Sequence, residues 1–247
     1  MDNRQTGRAT AGTAPDRERI AGFLMLAAAV ASIVFVAIDP VATGDDARTI
    51  LQSMAASAPM HRLVHAVEMA CVFALAFGMA SLSARLGARR PAVRAGCMAW
   101  LAGSLLMLGA TVVDGFVTGD AASYFLGAGH DVERGREIVH LCYAVIQDLA
   151  MVSWFFQAVG VLALAAVLVR DRGANRVAGV VGLVTGALPP IAIVATYPVM
   201  DTGVVVGILV AQLAWNLAAA ATLLLRRPSA PAPAQAVCID AAQAVPA

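Results

Sequence analysis

Six stretches of this chain are each long and apolar enough to cross a lipid bilayer: Ile20–Ile38, Leu63–Leu86, Val93–Val113, Asp148–Val169, Val177–Tyr197 and Val204–Leu225. A spanning helix needs ~20 mostly apolar residues to traverse a ~30 Å hydrocarbon core. Composition agrees, with 60% hydrophobic residues, 13% charged and a mean hydropathy of +0.77. Soluble domains carry about a quarter charged residues. The fourth span is expected to begin earlier, near Val132, with its first turns standing above the membrane. Short connections leave room for one membrane domain, residues 17–227, and no soluble one.

The charges between the spans alternate in bias. All 17 basic residues are Arg, and 13 fall on one side. These are Arg4, Arg8, Arg17 and Arg19, then Arg85, Arg89, Arg90 and Arg94, then Arg170, Arg172 and Arg176, and finally Arg226 and Arg227. Only Arg48, Arg62, Arg134 and Arg136 lie on the other side. The positive-inside rule therefore predicts that both termini are cytoplasmic, in a multi-pass protein of the cytoplasmic or plasma membrane. The lipid bilayer is the expected partner. A nucleic-acid role needs a concentrated basic face, whereas these Arg sit in juxtamembrane turns that topology already explains.

Several other classes drop out. Cys71, Cys97, Cys142 and Cys238 have no metal-type spacing and imply no disulfide framework. Phosphate-binding Gly-rich loops, the Gly-x-Ser-x-Gly elbow and the His-Glu-x-x-His zinc motif are all missing from the sequence. The first span follows Arg17 and Arg19 and contains Ala29-Val30-Ala31, but at 19 residues it is too long for a signal core. It reads as an uncleaved first helix.

Residues 1–16 and 228–247 are polar or Pro/Ala-rich without periodicity and are expected to be disordered. In the first outer connection, Thr43-Gly44-Asp45-Asp46 precedes Ile50, Leu51 and Met54, which predicts a short interfacial helix closed by Pro59. Gly115 to about Asp131 reads as the one long outer loop. Gly179-Val-Val-Gly182 and the Ala218–Ala221 run predict close helix packing, and Pro189-Pro190 a kink in the fifth span. The turns at 87–96 and 173–179 resemble each other, a pattern that a duplicated hairpin would give.

Ionisable groups inside a membrane are costly and mark the first place to look for function. Height follows by counting from the Arg anchors at ~1.5 Å per residue. Asp39, His65, Asp114 and Asp148 lie 20, 20, 20 and 22 residues from Arg19, Arg85, Arg94 and Arg170, so all four fall at ~30–33 Å, the outer edge of the hydrocarbon. Glu68 comes out a turn deeper, at ~25 Å, and Gln212 and Asn216 near mid-depth. Asp39, ahead of Pro40, reads as a helix-end cap whose loss should matter little. His61, His65 and Glu68 share one helix face at i, i+4, i+7. The sharper expectation is an outward-opening cavity in which His65, Glu68, Asp114 and Asp148 converge on a cation or small solute. No cofactor is predicted outright; a divalent cation held by His65, Glu68 and Asp148 is the candidate, because imidazole with carboxylates suits zinc- or manganese-type chemistry. A haem clamp by His65 and His140 is excluded by height, since the two differ by ~15 Å.

The His61-to-Glu68 start of the second span, Val113-Asp114-Gly115-Phe116 closing the third, and the Arg-flanked turns resemble a loose group of bacterial six-helix membrane proteins with no established activity. That resemblance implies the topology and nothing chemical. The expectation is thus an all-α, six-span bundle with N and C termini inside, which binds a cation or solute, with no enzyme motif to assign it a reaction. Two alternatives stand beside it: a membrane-embedded metal hydrolase resembling the helical lipid-amide hydrolases, and a structural subunit whose polar ring only locks helix packing.

Overall fold

The computed structural model describes residues 14–196 and 202–225. Among them there is no strand, and six helices are long and apolar enough to cross a membrane. The chain is an all-α, multi-pass membrane protein. The expectations for residues 1–13 and 228–247, for Asp201, Arg226 and Arg227, and for Cys238 lie outside the described residues.

The helices are α1 (Ala14–Ile38), α2 (Ala47–Gly87), α3 (Pro91–Val112), α4 (Thr118–Phe125), α5 (Val132–Leu168), α6 (Ala174–Thr196) and α7 (Thr202–Leu224). A π-helical turn, Val113–Val117, joins α3 to α4. The spans form a ring in chain order: α1 packs on α2, α2 on α3, α3 on α5, α5 on α6, α6 on α7, and α7 back on α1. Short connections force antiparallel neighbours, so sequence order becomes ring order.

Two expectations are corrected. The interfacial helix does not stop at Pro59, because α2 runs unbroken through it for 41 residues. Pro59 removes the backbone donor that the Ala55 carbonyl would otherwise meet, a loss of one helical bond. Leu51, Met54 and Ala58 are buried on one side of this segment, and that burial outweighs the local breaker. Nor is 115–131 a loop. The third span continues through the π turn into α4, leaving only 126–131 as connection. Gly and Asp suggested a break there, yet Ala122 is buried against Leu51, Met54 and Val139, with Phe125 and Leu126 alongside.

At ~1.5 Å per residue, α2 is about 60 Å long and α5, with 37 residues, about 55 Å. Both outrun a ~30 Å hydrocarbon core. Their first turns and α4 make a small second core beyond it. Each extension is capped: Thr49 N–H donates to Asp46 Oδ1 at 2.8 Å, and Glu133 N–H to Asp131 Oδ1 at 3.0 Å. The Arg62 guanidinium pairs with Asp120 across the same layer.

The main core lies toward the opposite, Arg-bearing end. Met25, Met79, Leu82, Leu164, Leu168, Trp215 and Leu223 are fully buried there. Small residues make it possible. A Cβ on Gly182 would stand 2.5 Å from the Trp215 ring, and one on Gly179 would strike the Val169 backbone. Hydrophobicity gives little drive for association in lipid, so this close packing is what holds the helices together. Arg85 reaches across to the Thr222 carbonyl and ties the ends of α2 and α7. Pro189 and Pro190 sit inside α6, and Pro189 is buried.

Candidate metal centre above an apolar cavity

The ring of helices surrounds a partly open cavity of about 350 Å³ lined by α1, α2, α3, α5 and α7, at the lower end of the volumes that small-molecule sites occupy. The helix α6 contributes no lining residue, so its prolines do not border this space. The walls are mostly apolar, including Ile33, Val72, Leu75, Met107 and Leu209. Ionisable groups gather at one end and amides at the other.

The ionisable end is built from the close of α1, the middle of α2 and the π turn. His61 and His65, one turn apart on α2, present their rings side by side, with centroids 4.4 Å apart and planes at 87°. Two carboxylates bridge the two imidazoles. Asp39 Oδ1 lies 2.7 Å from His61 Nδ1, and Asp39 Oδ2 lies 3.6 Å from His65 Nε2. Asp114 mirrors this, at 3.3 Å from His61 Nε2 and 3.7 Å from His65 Nε2. Glu68 accepts from the remaining nitrogen, His65 Nδ1, at 2.8 Å. His65 is buried, and the other four groups are partly buried.

The glycine after Asp114 lets this happen. Gly115 is buried, and a Cβ there would come within 2.7 Å of His65 Cγ. The π turn adds a residue to the helical repeat, which rotates Asp114 relative to the α3 face below it.

Chemistry follows from the proton count. Glu68 fixes His65 with Nδ1 as the donor, so Nε2 of the neutral ring is a lone pair aimed at two carboxylates. Lone pair and carboxylates repel unless a cation or proton stands between them. Among these five groups, three carboxylates face two imidazoles. Even with both rings protonated, the cluster keeps one excess negative charge, a costly state at this depth. The Nε2 distances of 3.6 and 3.7 Å are too long for hydrogen bonds. Two ligands held ~2.0–2.1 Å from one tetrahedral zinc stand about 3.3 Å apart, within a few tenths of an ångström of the two His65 Nε2 distances, while the 2.7 Å between Asp39 and His61 would have to widen. One ligand atom each from Asp39, His61 and His65 all lie within 4.8 Å of one another. A carboxylate on the far nitrogen of a ligating imidazole, as Glu68 is here, is the usual outer partner of a metal-bound histidine.

Height counting thus finds His65, Glu68 and Asp114 together, and Gln212 and Asn216 lower in the same cavity. It assigns Asp39 wrongly: that residue bridges both histidines and is no mere cap. His61 belongs to the cluster as well, as its shared face with His65 and Glu68 indicated. Asp148 does not join. It is exposed and borders no part of the cavity, while Ile146, Ala150, Trp154 and Gln157 of α5 do. Two residues along a helix turn the side chain by ~200°, so Asp148 has the right level and the wrong face. His130 and His140 are exposed.

No family model, no curated protein and no solved structure matches this chain.

Proposed function

We propose that this membrane protein binds a divalent cation of the zinc type through Asp39, His61 and His65, with Asp114 closing the site and Glu68 orienting His65. The observation that carries this reading is the buried His65 Nε2, which has no hydrogen-bond partner yet faces two carboxylates. A protein built only to lock its helices would pair that atom. The Arg distribution supports an outer-side position for the site in the cytoplasmic or plasma membrane, where exported or incoming cations and solutes would meet it.

Hydrolysis by a membrane-embedded metal is the second reading, favoured by the apolar cavity directly beneath the site. It requires a metal-activated water and an open coordination position. Metal binding is common to both readings and is tested first. The chain is purified in lipid discs, stripped with chelator and titrated with zinc against a competing chelator. One cation per chain is expected for the wild type, with at least tenfold weaker binding for Asp39→Asn and for His61→Ala. Equal isotherms for wild type and both variants refute the assignment.

A further inference from the structure

We infer that the inner end of the cavity is a separate binding site for an apolar molecule carrying a carboxamide-like group, read by Gln157, Gln212, Asn216, Trp100 and Trp154. All five border the cavity, on α3, α5 and α7. Gln212 Nε2 donates to Gln157 Oε1 at 2.7 Å, which brings α5 and α7 to one level. Whichever way the two amides are turned, that bond leaves one NH₂ group and one carbonyl over. Gly103 makes room for this arrangement, since a Cβ there would stand 2.7 Å from Gln157 Cγ.

Three polar atoms on these same side chains have no partner. They are Nε1 of Trp100, Nε1 of Trp154 and Oδ1 of Asn216, in residues that are 2%, 6% and 5% exposed. An unpaired polar group costs most where no bulk water reaches it. Three such groups on three helices are a heavy penalty for a bundle already held by close packing. The chemistry of this end defines the complement. The Gln157–Gln212 pair offers the cavity one spare amide donor and one spare carbonyl acceptor, while the indole N–H groups and the Asn216 oxygen are closed off and meet a ligand only when those side chains turn. A carboxamide answers both from one planar group. The apolar walls between this end and the histidine cluster accept a hydrocarbon chain, and a lipid bilayer is where such a molecule dissolves. The site does not depend on the cation.

All three tryptophans of the chain are buried, at 2%, 6% and 0% exposure. Trp100 and Trp154 border the cavity, so a bromine atom inside it stands closer to their rings than one held in the surrounding lipid. The test compares 6-bromohexanamide with 1-bromohexane, whose short chain keeps the bromine near the amide end, on the full chain in lipid discs, with and without chelator. The amide is expected to quench at about tenfold lower concentration than the hydrocarbon, the usual scale for leaving buried polar groups unpaired. Gln212→Leu and Asn216→Leu should erase that difference. Trp154→Phe, a smaller change that keeps the wall intact, should reduce it, read on the remaining tryptophans. Chelation should change nothing, which separates this site from the metal centre. Equal quenching by both probes in the wild type, or none by either, overturns the inference. So does an undiminished preference for the amide in all three variants.

Discussion

Gly115→Ala is expected to cost the protein both stability and its cation. The added methyl group would stand 2.7 Å from His65 Cγ and 2.8 Å from Cδ2, and it would overlap the His65 Cβ. Nothing at the far end of a flexible side chain can yield; the π turn and α2 must separate, or His65 must leave its rotamer. Overpacking of this kind costs ~1–3 kcal/mol. It also breaks the His65–Glu68 contact that fixes the ring. Thermal unfolding in lipid discs should show a lowered midpoint, and zinc affinity should fall at least tenfold. Gly109→Ala, on the same helix two turns away, is the matched control. Its nearest neighbour would be Leu149 Cδ1 at 3.7 Å, an ordinary contact, so both quantities should stay near wild type. If Gly115→Ala binds zinc as the wild type does, His65 is not held where the account requires.

Glu68→Gln should weaken zinc binding ~10–100-fold, the scale set by loss of an outer carboxylate partner to a ligating histidine. Size and hydrogen-bonding reach are kept, so the bundle should retain its unfolding midpoint while the isotherm shifts. The lost quantity is negative charge behind His65 Nδ1, which raises the basicity of Nε2. Asp148→Asn removes a carboxylate from the same height and should leave the isotherm unchanged, because that side chain is exposed and outside the cavity. Matching losses in the two variants would mean that only general negative charge near the rim attracts the cation.

Height was readable in the residue sequence because helical rise is constant and the Arg turns supply a datum. Counting from them brought His65 and Asp114 to one level with Glu68 a turn deeper, and the structure joins all three at one end of the cavity. Azimuth was not readable in the same way. Asp148 failed on rotation, since periodicity gives a face only when that face is chemically distinct, and in lipid both faces of a helix are apolar. Asp39 was undervalued because a carboxylate ahead of a proline looks like any helix end. Its partner, His61, lies 22 positions away. Pro59 and Gly115 were misread as breaks for one shared reason. Local propensity favours interruption at both, and burial of Leu51, Met54 and Ala122 overrides it. The ring order of the spans, by contrast, was implicit in the short connections.

The cluster is most directly tested by zinc K-edge X-ray absorption on the loaded protein in lipid discs. The account predicts an inner shell of nitrogen and oxygen at ~2.0–2.1 Å with the outer scattering pattern of two imidazole rings. His61→Ala should reduce that pattern to one ring. A spectrum with no imidazole scattering, or one unaltered in His61→Ala, would contradict a metal centre at Asp39, His61 and His65.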